Sequence, residues 1–187
     1  MTVRDELWDV AIDQYGFVTA ANARDLGIPV VELGKLASRG KLVRASHGVY
    51  RFPQWPVSDR DHLMEAVLWT KDSSAVLSHD TALDVLDLCD INPTKLHLTI
   101  PKRRWGLQRQ SVPATYVIHQ QNLEPSERGW WEQIPCVTAA AAIRQGITAK
   151  VRPDLLRQAI DAAAGRGLIG QAETGELSEQ VRKAFSK

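Results

Sequence analysis

The chain has 187 residues, of which 44% are hydrophobic and 24% charged, a composition typical of folded globular domains. Its formal net charge is only +1, so binding to nucleic acid or to a membrane would depend on local clusters of charge. No apolar run approaches the roughly 20 residues that span a bilayer, and the first residues lack the apolar core of a secretory signal. We therefore expect a cytoplasmic protein that has no membrane partner.

Sequence motifs of enzymes and metal proteins are weak in this chain. The two cysteines, Cys89 and Cys136, form no CxxC pair, and no His/Cys cluster has metal-ligand spacing. Ser78, His79 and Asp80 are the residue types of a catalytic triad, but a triad needs them to converge from separate positions. We interpret Ser78 as a helix cap and predict no catalytic residue, no metal site and no cofactor.

The first fifty residues predict three short helices and a β-hairpin. Apolar residues recur at helical spacing, Thr19 is a good N-cap, and Gly16, Gly27 and Gly40 can end the helices. This order is that of a winged helix-turn-helix, whose third helix enters the major groove of DNA while the hairpin lies along the backbone. The predicted elements are helices at residues 4–15, 20–26 and 29–39 and strands at 41–45 and 49–52.

Positive charge is concentrated on the predicted third helix and hairpin. Between Leu33 and Ser58 there is no Asp or Glu, although several Lys and Arg residues lie there. Such cations neutralise phosphates and release counterions, so we predict a DNA-binding surface. The alternative is a winged helix that contacts only proteins. The residues predicted to contact DNA are Lys35, Ser38, Arg39, Lys41, Arg44, His47 and Arg51.

Residues 53–58 predict a boundary between domains, because two prolines in four residues cannot continue a helix. The remainder mixes helical and strand patterns, so we predict an α+β protein. Its parts are a winged helix-turn-helix domain over residues 1–53 and a larger mixed α/β domain over residues 59–187. The later elements predicted are helices at 59–71, 78–88, 138–145, 153–164 and 176–185 and strands at 95–100, 115–119 and within 130–135.

A second stretch without acidic residues runs from Ile91 to Leu123. Its consecutive cations lie beside a tryptophan, a combination that can hold phosphate, RNA or an acidic protein surface. A nucleic-acid-processing enzyme could use them as a substrate groove, although the carboxylates that hold divalent metal are missing from this stretch. The residues predicted to contact a partner or nucleic acid are Lys102, Arg103, Arg104 and Trp105.

Several segments, in this order along the chain, resemble AbiEi-type antitoxins of bacterial type IV, abortive-infection toxin–antitoxin systems. They are the N-terminal helices, the predicted hairpin, residues 77–83 (LSHDTAL) and residues 96–101 (LHLTIP). The resemblance covers roughly residues 5–110 and continues loosely through residues 135–143.

The resemblance implies a winged-helix transcriptional repressor that is not an enzyme and that binds operator DNA upstream of its own operon. The larger C-terminal domain would support antitoxin action against a nucleotidyltransferase-like toxin. Because one winged helix covers only a short half-site, we expect two or more protomers on an operator.

Overall fold

The structure is a computed structural model that describes residues 2–102 and 111–186. The chain divides into two compact units, residues 1–73 and 74–187, which are described separately below. The first unit continues past residues 53–58 and includes one helix that the predicted boundary assigns to the second domain. The predicted end of the first domain at residue 53 and the predicted start of the second at residue 59 stay predictions.

The first unit has the fold of a winged helix, and the predicted α+β class is confirmed. Its three strands form an antiparallel sheet in the order β1-β3-β2. Strand β1 was not predicted, because its three residues are too few to show an alternating pattern. The elements are α1 (Val3–Ile12), β1 (Phe17–Thr19), α2 (Ala20–Asp25), α3 (Val31–Ser38), β2 (Val43–Ser46), β3 (Val49–Arg51) and α4 (Asp61–Trp69).

Local hydrogen bonds explain where the first helices begin. The Thr19 hydroxyl accepts a hydrogen bond from the Asn22 backbone N–H at 3.1 Å, and Asn22 Oδ1 accepts one from the Thr19 N–H at 2.8 Å. This reciprocal capping box satisfies backbone donors that the first turn leaves without partners. Thr2 and Asp5 cap α1 in the same way. The prediction that Thr19 caps the second helix is confirmed.

The core of the first unit joins its helices to the sheet and to the chain beyond it. Trp8 packs edge-on against Phe52, with ring centroids 4.9 Å apart, and contacts Trp55 at 5.4 Å. Gly16 has a φ of +80°, and a Cβ there would lie 2.4 Å from Trp55 Cγ, so only glycine fits. Trp55 thus packs within the first unit. One cluster of buried residues in this core consists of Leu7, Ala11, Val18, Ala23, Ile28, Leu33, Leu42 and Phe52.

The second unit is a mixed α/β arrangement, as predicted. In its described part the strands form one sheet in the order β6-β5-β4-β8-β7. The β4–β5 and β7–β8 pairs are antiparallel, whereas β4–β8 and β5–β6 are parallel. Its elements are β4 (Val76–Leu77), α5 (His79–Val85), β5 (Leu96–Ile100), β6 (Tyr116–Gln120), β7 (Arg128–Trp131), β8 (Ile134–Val137), α6 (Ala139–Thr148), α7 (Pro153–Gly165) and α8 (Gln171–Phe185).

Helix α6 is the buried centre of the helices in this unit and packs against α5, α7 and α8. Its first residues, 139–142, are alanines that are all buried. Further along, a Cβ at Gly146 would lie 3.0 Å from Leu156 Cδ2 and 3.4 Å from Leu83 Cδ1. Small residues along α6 therefore let three other helices approach its backbone closely.

Some details of the second unit differ from the predictions, and strand β4 was not predicted. The single strand predicted within residues 130–135 is a hairpin, in which Glu132 (φ 47°) and Gln133 (φ 65°) form the turn. Turns of this type usually carry Asn or Gly, so the sequence lacked the usual signal. Ser78 precedes α5, but its side chain makes no capping hydrogen bond. Ser78 thus occupies the predicted N-cap position of α5 without the side-chain hydrogen bond that serine caps usually make.

The two cysteines are buried. Burial raises the pKa of Cys89 to about 11 and that of Cys136 to about 12, because a thiolate loses its solvation in an apolar environment. Both thiols are therefore protonated at neutral pH. Within residues 2–102 and 111–186, no helix is long and apolar enough to cross a bilayer.

Candidate nucleic-acid interface

Helix α3 presents one polar face to solvent because its opposite face is buried. Leu33 is fully buried, and Leu36 and Ala37 pack against the core of the first unit. With 3.6 residues per turn, residues three and four apart share a face of a helix. Burial of residues 33, 36 and 37 therefore turns the opposite side outward. The exposed residues on that side are Val31, Gly34, Lys35 and Ser38.

Lys35 and Ser38 already have partners on α3. The ammonium of Lys35 pairs with Glu32 at 2.7 Å, across two partly exposed side chains. The Ser38 hydroxyl donates a hydrogen bond to the Lys35 carbonyl at 2.9 Å. Both groups can exchange these partners for others, since an exposed ion pair contributes little stability.

The cations next to α3 carry unopposed charge. Arg39 and Lys41 are exposed, and neither side chain has a partner among the described residues. On the wing (β2, β3 and the turn between them), the side chain of exposed Arg44 contacts the His47 ring, with Nη2 3.2 Å from Nδ1. The fold thus brings Arg39, Lys41 and Arg44 out to solvent without an acidic partner in residues 2–73, all of which are described.

Arg51 differs from the other predicted DNA contacts. Its Nη2 donates to Asp61 Oδ2 at 2.7 Å and to the Pro56 carbonyl at 2.9 Å. Both side chains of the Arg51–Asp61 ion pair are only 15% exposed. The guanidinium also lies over the Phe17 ring, 5.4 Å from its centroid. These contacts tie β3 to α4 and to residues 53–58, so the charge of Arg51 is used within the first unit.

The second predicted contact lies at the edge of the described chain. Lys102 is exposed, and its backbone N–H donates to Asn122 Oδ1 at 3.1 Å. Arg103, Arg104 and Trp105 lie outside the described residues. Near Lys102, a cavity of about 290 Å³ is lined by Thr99, Gln121 and Arg128, among others. The Arg128 side chain donates to the Ser74 carbonyl at 2.9 Å.

A cluster of three histidines in the second unit was not predicted. The rings of His79 and His119 stack with centroids 3.5 Å apart. Nδ1 of His97 lies 3.1 Å from Nε2 of His119. The three residues are far apart in sequence and meet only because α5, β5 and β6 pack together. No local signal could have revealed them.

Hydrogen bonds around the histidine cluster favour its neutral form. Thr99 donates to the Ser78 hydroxyl at 2.8 Å, which leaves the Ser78 proton for Nδ1 of His79 at 3.0 Å. The bond between His97 and His119 also requires one ring nitrogen to accept. In the described part of the chain, no group of three or more His, Cys, Asp or Glu side chains is placed to hold a metal ion.

Burial lowers the pKa of all three histidines. The pKa of His79 falls to about 3, first because of burial and then because of the positive charge that His119 and His97 would carry. Burial likewise lowers the pKa of His97 and His119, and Asp80 opposes part of this effect on both. Lys95 lowers the pKa of His97 further.

Replacing Arg51 with Met should destabilise the first unit by about 2 kcal/mol, because it leaves a mostly buried Asp61 carboxylate without its cation. Urea denaturation followed by tryptophan fluorescence measures the change. Lys35→Met removes the exposed Lys35–Glu32 pair and is the matched control, with an expected cost below about 0.5 kcal/mol. Equal costs for the two variants would contradict a structural role of Arg51.

Acid should destabilise the second unit. Above the ordinary histidine pKa of 6.5 the contribution of His79 to stability is fully present, and it is lost as the pH falls toward about 3. The reason is that the unfolded chain binds protons in this range while folded His79 does not. Thermal unfolding between about pH 7.5 and about pH 5 should show a falling Tm.

His79→Asn tests this effect, because Asn tolerates the positive φ of 51° and does not titrate. The variant should lose part of the pH dependence, whereas Asn at exposed His62 should not. An unchanged pH profile in His79→Asn would show that other groups cause it.

Comparisons with known proteins bear on these two units differently. The sequence has no significant match among curated proteins. The chain is similar to the crystal structure of the RV2827C protein from Mycobacterium tuberculosis, with 16% identity, a TM-score of 0.43 and coverage of 92% of this chain and 78% of that chain. A likeness this distant transfers no function. Residues 5–53 match the family model described as transcriptional regulator, AbiEi antitoxin, which confirms the resemblance to AbiEi-type antitoxins.

Proposed function

We propose that this protein is a DNA-binding antitoxin of a type IV toxin–antitoxin system. In this proposal it binds operator DNA in the bacterial cytoplasm, represses its own operon and counters a nucleotidyltransferase-like toxin. The family model that matches residues 5–53 supports a role as regulator and antitoxin. Autorepression, the operator and the kind of toxin are the finer parts of the proposal.

One observation carries the DNA-binding part of the proposal. Within the segment that matches the regulator family, Arg39, Lys41 and Arg44 are exposed and face no acidic partner in residues 2–73. Cations left unpaired at the end of α3 and on the wing are suited to phosphates on both sides of a major groove. Each phosphate contact would release counterions and so supply affinity that does not depend on sequence.

Arg51 has a positioning role in this mechanism. Its ion pair with Asp61 and its bond to the Pro56 carbonyl hold β3 against residues 53–61. Because β3 is the central strand of the three-stranded sheet, it also fixes β2, which carries Arg44. We therefore propose phosphate contacts for Lys35, Ser38, Arg39, Lys41, Arg44 and His47, and support of the wing for Arg51.

A single copy of this surface is small, so we propose that two or more protomers bind one operator. A lone module buries little surface on DNA, and specific regulators commonly gain affinity from repeated half-sites. Binding sites selected from random DNA should therefore contain inverted or direct repeats.

For the antitoxin part, we propose that Lys102, Arg103, Arg104 and Trp105 contact the toxin. A nucleotidyltransferase uses acidic residues to hold the metal ions that bind its triphosphate, so the face around its active site offers negative charge. A basic segment facing it would raise the association rate and set the orientation of the complex. Exposed Lys102 is the described end of that segment.

DNA binding should weaken with salt in proportion to the number of phosphate contacts. The three cations without an acidic partner, Arg39, Lys41 and Arg44, at about −0.9 each, predict a contribution of about −2.7 per protomer to the slope of log K against log salt. Arg39→Gln, Lys41→Gln and Arg44→Gln should each make the slope shallower by about one unit. Fluorescence anisotropy on a labelled duplex measures it, with Arg152→Gln in the second unit as the control. Slopes unchanged in all three variants would place the DNA surface elsewhere.

A test of toxin rescue should distinguish the role of the basic residues 102–104 from that of Arg39, Lys41 and Arg44. Lys102, Arg103 and Arg104 replaced together by Glu should abolish rescue of cells that express the cognate toxin, while operator binding remains. Arg39, Lys41 and Arg44 replaced together by Glu should do the opposite. Both variants are produced from an independent promoter at matched protein levels, so that loss of repression does not change the dose. Full rescue by the first variant would contradict the proposed contact of residues 102–104 with the toxin.

A further inference from the structure

We propose that α3 recognises thymine in the major groove through the methyl groups of Val31, at a position where Gly34 lets the helix approach the bases closely. This inference rests on the proposed DNA-binding function and adds the base that the helix would select. It follows from which side chains α3 exposes and from what each can bind.

Val31 is the first residue of α3 and is 62% exposed. It begins the outward face that continues with Gly34, Lys35 and Ser38. A helix-turn-helix contacts base edges mainly with the first residues of its third helix. An exposed β-branched residue in this place gains nothing from the core of the first unit.

The polar groups of this face leave base recognition to its apolar part. The proposed function assigns Lys35 and Ser38 to phosphates, since their exposed partners on α3 can be exchanged. Of the residue types that make bidentate contacts with guanine (Arg, Lys) or adenine (Asn, Gln), α3 carries only Lys35, which the proposed function assigns to a phosphate. The thymine methyl is the one apolar group on the base edges of the major groove. It is therefore the group that the methyls of Val31 complement.

Gly34 is unfavourable for the free helix and is not required by the fold. Glycine destabilises a helix interior relative to alanine. A Cβ at Gly34 would meet no atom within 4 Å, and its backbone lies outside the positive-φ region. The missing side chain instead leaves space one turn beyond Val31, on the face turned to solvent. A surface that approaches α3 there can come closer to its backbone.

Charge favours DNA as the surface that covers this face. Arg39 follows α3, and Lys41 and Arg44 continue toward the wing, all exposed and without acidic partners in residues 2–73. An apolar and glycine-bearing strip next to unpaired cations matches a base-lined groove between phosphate backbones. A protein partner would instead need an acidic rim around an apolar centre. Measuring the affinity for DNA distinguishes DNA from a protein as the partner of this face.

The test uses binding sites selected from randomised duplexes with the full-length protein. Each thymine of the selected duplex is replaced in turn by deoxyuridine, which lacks only the methyl group. At one or more positions the wild-type protein should lose about fourfold in affinity, the factor expected for one buried methyl-sized group. Val31→Ala should bind the thymine duplex more weakly and should lose nothing further at those positions. Val57→Ala, at an equally apolar residue that is 84% exposed, should behave as wild type.

Gly34→Ala gives an independent test, because it should raise the stability of the free protein and lower its affinity for DNA. Alanine should raise the Tm of the free protein, because it favours the helix and meets no neighbour. The same change should weaken binding to the selected duplex at least severalfold, since the added methyl would stand between helix and bases.

The outcomes separate this inference from the proposed function. Sequence-selective binding with no uridine-sensitive position, or a sensitivity that Val31→Ala retains, would overturn thymine recognition and leave the regulator intact. Unchanged affinity in Gly34→Ala would overturn the close approach. The absence of any DNA binding at low salt would overturn both proposals and favour a protein partner.

Discussion

Burial of Leu33 is the constraint on which the rest of the first unit depends. Its side chain is fully enclosed, with Leu36 and Ala37 beside it against the core. Enclosure of a leucine stabilises a fold by about 2 kcal/mol, and turning α3 by one residue would replace this leucine with Glu32 or Gly34. The orientation of α3 about its own axis is therefore determined by which of its side chains the core buries. Which residues meet a partner is a consequence of what the core requires.

Ion pairing then determines which cations remain available. Asp61 holds Arg51 in a mostly buried pair, and Glu32 holds Lys35 in an exposed one. The first pair resists exchange because separating it leaves charge in a poorly solvated place, whereas water and salt weaken the second. Charge counted along the sequence between residues 33 and 58 treats these cations as equal. In the fold they differ. Arg51 is held in a mostly buried ion pair, and Lys35 is in an exposed pair that can exchange. The other three, Arg39, Lys41 and Arg44, have no acidic partner in residues 2–73.

Local signals in the sequence were sufficient for most of the first unit and for less of the second. Caps and glycine stops act within one turn, so Thr19 and the helix ends could be predicted from neighbouring residues. Short strands without alternation, such as β1 and β4, have no such signal. Their positions depend on partners distant in sequence, as when β3 pairs with residues 17–19.

The site showed the same division between local and distant information. The basic cluster was visible as a run of residues in the sequence. That Arg51 is paired within the first unit depends on Asp61, ten residues further along the chain. The histidine cluster joins residues 79, 97 and 119 and needs the parallel pairing of β5 with β6 to exist. Side-chain neighbours across elements are set by packing, and a single sequence carries no direct trace of them.

The available contacts also explain why one protomer would be a weak regulator. In the proposed complex, Arg39, Lys41 and Arg44 would supply affinity that every DNA sequence shares, and a methyl contact at Val31 would discriminate by about 1 kcal/mol. A specific regulator needs roughly 4–10 kcal/mol over non-specific binding. Two or more protomers would multiply both the proposed phosphate contacts and the proposed base contacts without any change to the helix. A small recognition surface of this kind therefore favours repeated half-sites over a single extended one.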